Sequence, residues 1–148
     1  MWTIPGLCLC LVAASEAPRA DRRRLAVYNY QEVAKLTAAD ATSGDEFGRS
    51  VAIDGATVVV GAYRKNSYTG AVYVLRTTDG GASYGQVAKL AAADGAVDDL
   101  FGTSVAIDGA TVVIGAPDAG TGGAVYVLRT TDGGATYGQV AKLTASDG

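Results

Sequence analysis

The chain has 148 residues, 49% of them apolar and 18% charged, with 20 glycines and three prolines. That much apolar surface excludes intrinsic disorder, and the glycines follow no Gly-X-Y period, which excludes collagen. Twelve basic against fifteen acidic side chains give a net charge of −3; setting aside the first 24 residues, with four arginines and two acids, leaves 8 against 13, or −5. An acidic body argues against a phosphate-backbone partner, so no nucleic-acid binding is expected. Histidine is absent, which removes the commonest general base, the commonest metal ligand and every Ser–His or Cys–His device. Composition therefore leans away from an enzyme.

In chain order, the first element is the apolar run Trp2 to Ala14. Thirteen residues are too few for a bilayer span, which needs about 20, but they suit the core of a secretory signal. Small residues at Val12-Ala13-Ala14 or Ser15-Glu16-Ala17 could mark cleavage. No Lys or Arg precedes the run, and Arg19, Arg22, Arg23 and Arg24 follow it, so a short basic arm is the competing account. The expectation is a signal peptide and basic arm at 1–24, a body at 25–148, no transmembrane segment, and a secreted or cell-surface location. Both cysteines, Cys8 and Cys10, lie in the run; its removal leaves no disulfide framework.

The body repeats itself. Val33-Ala34-Lys35-Leu36 recurs at Val87–Leu90 and at Val140–Leu143, with offsets of 54 and 53. Phe47-Gly48 recurs as Phe101-Gly102, Ser50–Val59 as Ser104–Val113, and Gly70–Ala82 as Gly123–Ala135. The repeats cover about 47–94 and 101–147. Each reads as four short strands rich in Val, Ile, Thr and Tyr, with Asp54-Gly55 and Asp79-Gly80-Gly81 as the hairpin signals of the first unit. The strands are apolar on both faces, which a sheet covered on both sides explains. Four-stranded units at this period predict β-propeller blades. The predicted fold is all-β: two complete blades plus an N-terminal outer strand at Tyr30–Leu36, part of a larger propeller.

Phe47-Gly48 … Val60-Gly61-Ala62 and Phe101-Gly102 … Ile114-Gly115-Ala116-Pro117 resemble the FG-GAP repeat of integrin-α-type propellers. In that family the first hairpin often expands into a calcium loop of the form D-x-[DN]-x-D-G. Here it is cut to Asp54-Gly55 and Asp108-Gly109, too few oxygens for six to eight ligands. Calcium is thus not supported by the loop lengths, and no cofactor is expected. Thr77–Tyr84 and Thr130–Tyr137 are also similar to the Asp-box hairpin of sialidase-type propellers, a structural element; that family's catalytic residues cannot be assembled here.

Two blades and one strand cannot close a ring of four to eight blades. Further C-terminal blades are the first expectation, closure by self-association the second, and an open stack the third. Where the copies differ, the scaffold is not the constraint. The second-to-third-strand loops differ, as do the connections around Asp40–Glu46 and Asp94–Leu100, and variable loops on a rigid scaffold are where recognition sits. Tyr63, Arg64, Lys65, Asn66, Tyr68 and Asp118 are the candidate ligand-binding residues, with the Arg64-Lys65 pair taken as exposed. Asp45, Glu46, Asp98 and Asp99 are weak metal candidates against a plain solvated acidic turn. Tyr73, Tyr126, Phe47 and Phe101 read as packing between blades. The resemblance implies non-enzymatic recognition or adhesion toward protein or glycan; the alternatives are an accessory propeller of a secreted hydrolase, or a lectin.

Overall fold

The computed structural model describes residues 31–146. The expected signal peptide and basic arm, with Cys8 and Cys10, lie outside the described residues. Eight strands follow in order: β1 (Ser50–Asp54), β2 (Thr57–Ala62), β3 (Ala71–Arg76), β4 (Gly85–Leu90), β5 (Ser104–Asp108), β6 (Thr111–Ala116), β7 (Ala124–Arg129) and β8 (Gly138–Leu143), with one helical turn, α1 (Lys65–Tyr68). They form two four-stranded antiparallel sheets, ordered β1-β2-β3-β4 and β5-β6-β7-β8. These are the two predicted blades.

The β1–β2 hairpin is as tight as the Asp-Gly pair implied, but sits one residue later. Asp54 pairs with Thr57, so the loop residues are Gly55 and Ala56. Of the two only Gly55 has positive φ, at 52°, the pattern of a type II′ turn with glycine first. In the outer strand, Ala88 opposes Val74 and Gln86 opposes Leu75, leaving Val87 as a bulge residue. Val140 does the same in β8. A bulge on an outer strand twists the edge away from further pairing. The described part of the expected strand at Tyr30–Leu36 pairs with no strand, and Val33 is 75% exposed. A fourth strand forms only against a third, and no described residues supply one there.

The central strands are buried on both faces in the first blade, as their unbroken apolar sequence requires. One face, with Val59, Val72 and Val74, packs on the Val112, Ile114, Tyr126 and Leu128 face of the second blade. The other face, with Val60, Tyr73 and Leu75, is covered by Leu36, Ala38 and Phe47. Burying each such side chain contributes about 1.5–3 kcal/mol. The second blade is covered on one face only: Val72 is fully buried, whereas its counterpart Val125 is 37% exposed.

The blades are joined by the Phe101-Gly102 peptide. Phe101 bridges Gly70, its N–H donating to Thr69 O (3.2 Å), and the Ser50 hydroxyl donates to Gly102 O (2.7 Å). The approach leaves no room for a side chain. A Cβ on Gly61 would lie 2.1 Å from Gly102 O, and Gly102 itself sits at φ 93°. At the other end of the strands, Gly109 N donates to the Asp54 carboxylate (2.7 Å) and Arg76 donates to Gly133 O. The second hairpin of each blade is braced alike: the Asp79 carboxylate accepts from Thr77 Oγ1, Ser83 N and Ser83 Oγ. Asp132 accepts from Thr130, Ala135 and Thr136.

Gly61→Ala is therefore expected to destabilise the chain by about 1–3 kcal/mol, the usual cost of overpacking. Gly85→Ala, with open space around it, is expected to change stability little. Denaturant unfolding of both variants checks the contrast; an unperturbed Gly61→Ala would contradict the description of the joint.

Candidate recognition site

The meander puts the Asp-Gly and Thr-Thr-Asp-Gly-Gly hairpins at one end of each blade. The β2–β3 loop and the connection entering each blade lie at the other. At that end of the first blade, α1 turns left-handed: Asn66 (φ 52°, ψ 57°), Ser67 (φ 56°, ψ 49°) and Tyr68 (φ 66°) all sit at positive φ. Each such non-glycine residue costs roughly 1–2 kcal/mol, so the surroundings must hold the turn. They do. Gly70 N donates to Lys65 O (2.9 Å), while Leu100 N donates to Tyr68 O (2.9 Å) from the connection entering the second blade.

Lys65 is the strut beneath the loop. It is 5% exposed. Its Nζ donates to Asp45 Oδ2 (2.8 Å) and to Asp40 O (2.5 Å). The hydrogen bond to Asp45, against the opposing cost of burial, raises the lysine pKa; that bond and those from Thr42 hold the Asp45 carboxyl below the carboxylate range. The exposed Arg64-Lys65 pair expected from the sequence is thus corrected: one cation faces solvent and the other is spent inside. The physical reason is Asp45, itself 8% exposed, which needs a buried counter-charge.

Arg64 is the outward cation. Its guanidinium carbon lies 5.4 Å from the Tyr63 ring centre and 5.6 Å from that of Tyr68, with Glu46 Oε1 2.7 Å from Nη1. Arg49 also stands over the Tyr63 ring, 5.9 Å from its centre, a member that comparing the loops misses because Arg49 lies outside them. Asn66 is exposed on the left-handed turn. Asp118 is exposed in the corresponding loop of the second blade, and among the described residues no hydrogen bond or ion pair joins it to the Arg64 cluster.

Two of the four acidic positions depart from the solvated turn expected as the ordinary reading. Asp45 and Asp99 are buried and each closes its own turn: Asp45 accepts from Thr42 N (2.7 Å) and Asp99 from Ala96 N (2.7 Å). Glu46 is engaged by Arg64, and Asp98 is exposed at φ 70°. Among the described residues, no three His, Cys, Asp or Glu side chains gather as a metal site.

Beneath each connection lies a clasp that the sequence reading did not assemble. Asp40 accepts from Tyr73 Oη (2.7 Å) and Lys89 Nζ (2.6 Å). Asp94 accepts from Tyr126 Oη (3.0 Å) and Lys142 Nζ (2.5 Å). Each lysine also lies over its tyrosine ring, at 5.6 and 5.2 Å. The signal was present: a polar Asp, Tyr and Lys repeating in otherwise apolar strings.

Paired antiparallel blades joined through a Phe-Gly peptide define a propeller-type repeat protein. The chain matches the FG-GAP repeat over residues 30–75 and 84–128, more than half its length, and belongs to that family. No curated protein matches it. FG-GAP repeats form propeller domains that often serve adhesion or binding, are typically non-catalytic, and are typical of extracellular or cell-surface proteins. Among the described residues, no helix is long and apolar enough to cross a membrane.

Hydrogen bonds from Lys89 and Tyr73 hold the Asp40 carboxyl at about 2, below its ordinary 3.8. A depressed carboxyl pKa contributes stability that is complete above the unfolded value and lost as pH falls through the folded one. The Tm difference between the native chain and Asp40→Asn is therefore expected to be full above 3.8 and to shrink towards about 2. Thermal melts across that range check it; a difference that does not vary with pH would contradict the clasp.

Proposed function

We propose that this chain is a non-enzymatic recognition module, secreted or held at the cell surface, which takes a protein or glycan ligand at the loop end of its blades. The observation that carries the reading is Arg64, flanked by Tyr63 and Tyr68 on a loop whose counterpart in the second blade has neither arginine nor tyrosine. A guanidinium between aromatic faces offers planar donors for a carboxylate and flat surfaces for an apolar or sugar ring, the mix enriched at binding hot spots. The strained turn under it is held rigidly by Lys65 and by the next connection, so the side chains are presented at little ordering cost on binding. Strain of this kind gathers at functional sites. No calcium or other cofactor enters this reading.

The test uses the full chain on an array of neutral and carboxylated glycans and on a panel of acidic peptides. Arg64→Ala is expected to weaken capture about tenfold or more, a loss of about 1.4 kcal/mol or more. Its stability should hold within about 1 kcal/mol, since an exposed ion pair contributes little. Asp132→Ala, at the hairpin end, is expected to lower Tm and leave capture intact. Capture that survives Arg64→Ala, or is lost in Asp132→Ala at unchanged Tm, would place the site elsewhere.

A further inference from the structure

At the β2–β3 loop of the first blade, Arg64 does not stand alone. Glu46 Oε1 lies 2.7 Å from Arg64 Nη1, and both side chains stay partly in water, at 35% and 40% exposure. An ion pair so exposed contributes little to stability. The repeat does not require it either. The second blade has Leu100 at the position of Glu46, and Asp118 two residues after Ala116 where the first blade has Arg64 after Ala62. Neither partner belongs to the shared scaffold. The backbone under the first position does: Glu46 and Leu100 are both left-handed, at φ 53° and 56°. The repeat fixes the platform, and the first blade sets a carboxylate on it, against the guanidinium of its own loop.

That pair decides what the site can take. A ligand carboxylate seeking Arg64 meets Glu46 already on the guanidinium, and like charges side by side oppose its entry. The chain's surplus of acids, fifteen against twelve basic side chains, adds to the opposition. A neutral polyol meets the reverse. The ion pair joins one oxygen to one nitrogen, whereas a carboxylate has two oxygens and a guanidinium five N–H donors. Acceptor and donor capacity therefore remain side by side. Adjacent sugar hydroxyls match them, because each hydroxyl both donates and accepts. Tyr68 supplies the flat surface for the ring. It is 41% exposed, with the Arg64 guanidinium carbon 5.6 Å from its centre. Its main chain is fixed where Leu100 N donates to Tyr68 O (2.9 Å). Arg49, exposed against the Tyr63 ring, adds a further donor.

We propose that the ligand of this site is a neutral sugar, with adjacent hydroxyls bound between Glu46 and Arg64 and its ring against Tyr68; this rests on the reading of the Arg64 loop as the recognition site. One hydroxyl donates to the second carboxylate oxygen of Glu46, and its neighbour accepts from an N–H of Arg64. Glu46 is thus a binding residue and a specificity determinant. Without it the loop presents a cation between aromatic rings, open to any carboxylate. With it the site repels acidic ligands and holds neutral ones by hydrogen bonds, so that selection comes from a repulsive element as well as an attractive one.

The full chain and its variants Glu46→Leu, Glu46→Asn and Arg64→Ala are compared on one array. It carries glycans ending in neutral hexoses, in N-acetylhexosamines and in sialic or uronic acids, beside acidic peptides. Glu46→Leu installs the residue that the second blade holds in the same backbone conformation. Glu46→Asn, too short to reach the ligand and suited to the left-handed region, serves should the leucine variant unfold. The native chain is expected to capture neutral-ended glycans, and to do so equally as salt is raised, since a neutral ligand has no charge to screen. Capture should fall about tenfold or more in each Glu46 variant and in Arg64→Ala, as the loss of a hydrogen bond to a charged group implies. Acidic glycans and peptides should gain in the Glu46 variants. Native capture confined to acidic probes, lost in Arg64→Ala and strengthened in the Glu46 variants, would overturn the proposal while leaving the loop as the recognition site. Neutral capture that survives in the folded Glu46 variants, or falls steeply with salt, would overturn it likewise. Capture untouched by Arg64→Ala, or no capture of any probe by the native chain, would overturn both the proposal and the reading it rests on.

Discussion

The peptide Phe101-Gly102 pressed against Gly61, Gly70 and Ser50 is the contact on which the rest of the structure depends. Strands as apolar as Val72–Leu75 gain from cover on both faces. A four-stranded sheet of this composition is best stabilised as a layer between layers. The Phe-Gly peptide sets how close the next layer comes, because two glycines meet there with no side chain between them. The aromatic ring then fills the corner above Tyr126, and the aliphatic faces close behind it. The same repeat unit without that neighbour is left half-covered, as the second blade shows at Val125 and Leu143.

Charge serves this packing before it serves recognition. The connection entering each blade must cross the top of strands that are otherwise apolar, and it is tied down by a carboxylate. Asp40 and Asp94 each collect a tyrosine hydroxyl and a lysine from the blade being entered. In the first blade Lys65 adds a buried pair with Asp45 and carries the strained turn above it. What remains free to face a ligand is a small set, Arg64 with Tyr63 and Tyr68 and the neighbouring Arg49. The scaffold thus explains why a seemingly basic loop offers less positive charge than its sequence suggests.

Much of this was legible in the residues. Period, strand number and the two-faced burial followed from the duplicated Val-Val-Val and Ala-Val-Tyr-Val-Leu runs, and the tight first hairpin followed from Asp54-Gly55. The fate of the charges did not follow. Arg64 and Lys65 are adjacent and of one sign, and only the path of the connection, which brings Asp45 under the loop, sends one inward. Asp40, Tyr73 and Lys89 are far apart in sequence, and only their recurrence as Asp94, Tyr126 and Lys142 signals that they belong together. The stretch 31–36 pairs with no strand among the described residues for a related reason: its strand-like sequence needs a neighbour, and pairing is a property of two segments rather than one.

The hexapeptide Ala-Val-Tyr-Val-Leu-Arg occurs as β3, covered on both faces, and as β7, covered on one. If burial between layers holds these blades together, identical sequence should give unequal protection. Amide hydrogen exchange, followed by NMR at concentrations where the chain is monomeric, measures that directly. The amides of β3 are expected to exchange about tenfold or more slowly than their β7 counterparts, since protection follows local stability. Equal rates at the matched positions would mean that each blade is stable by itself and that the joint does not support the fold.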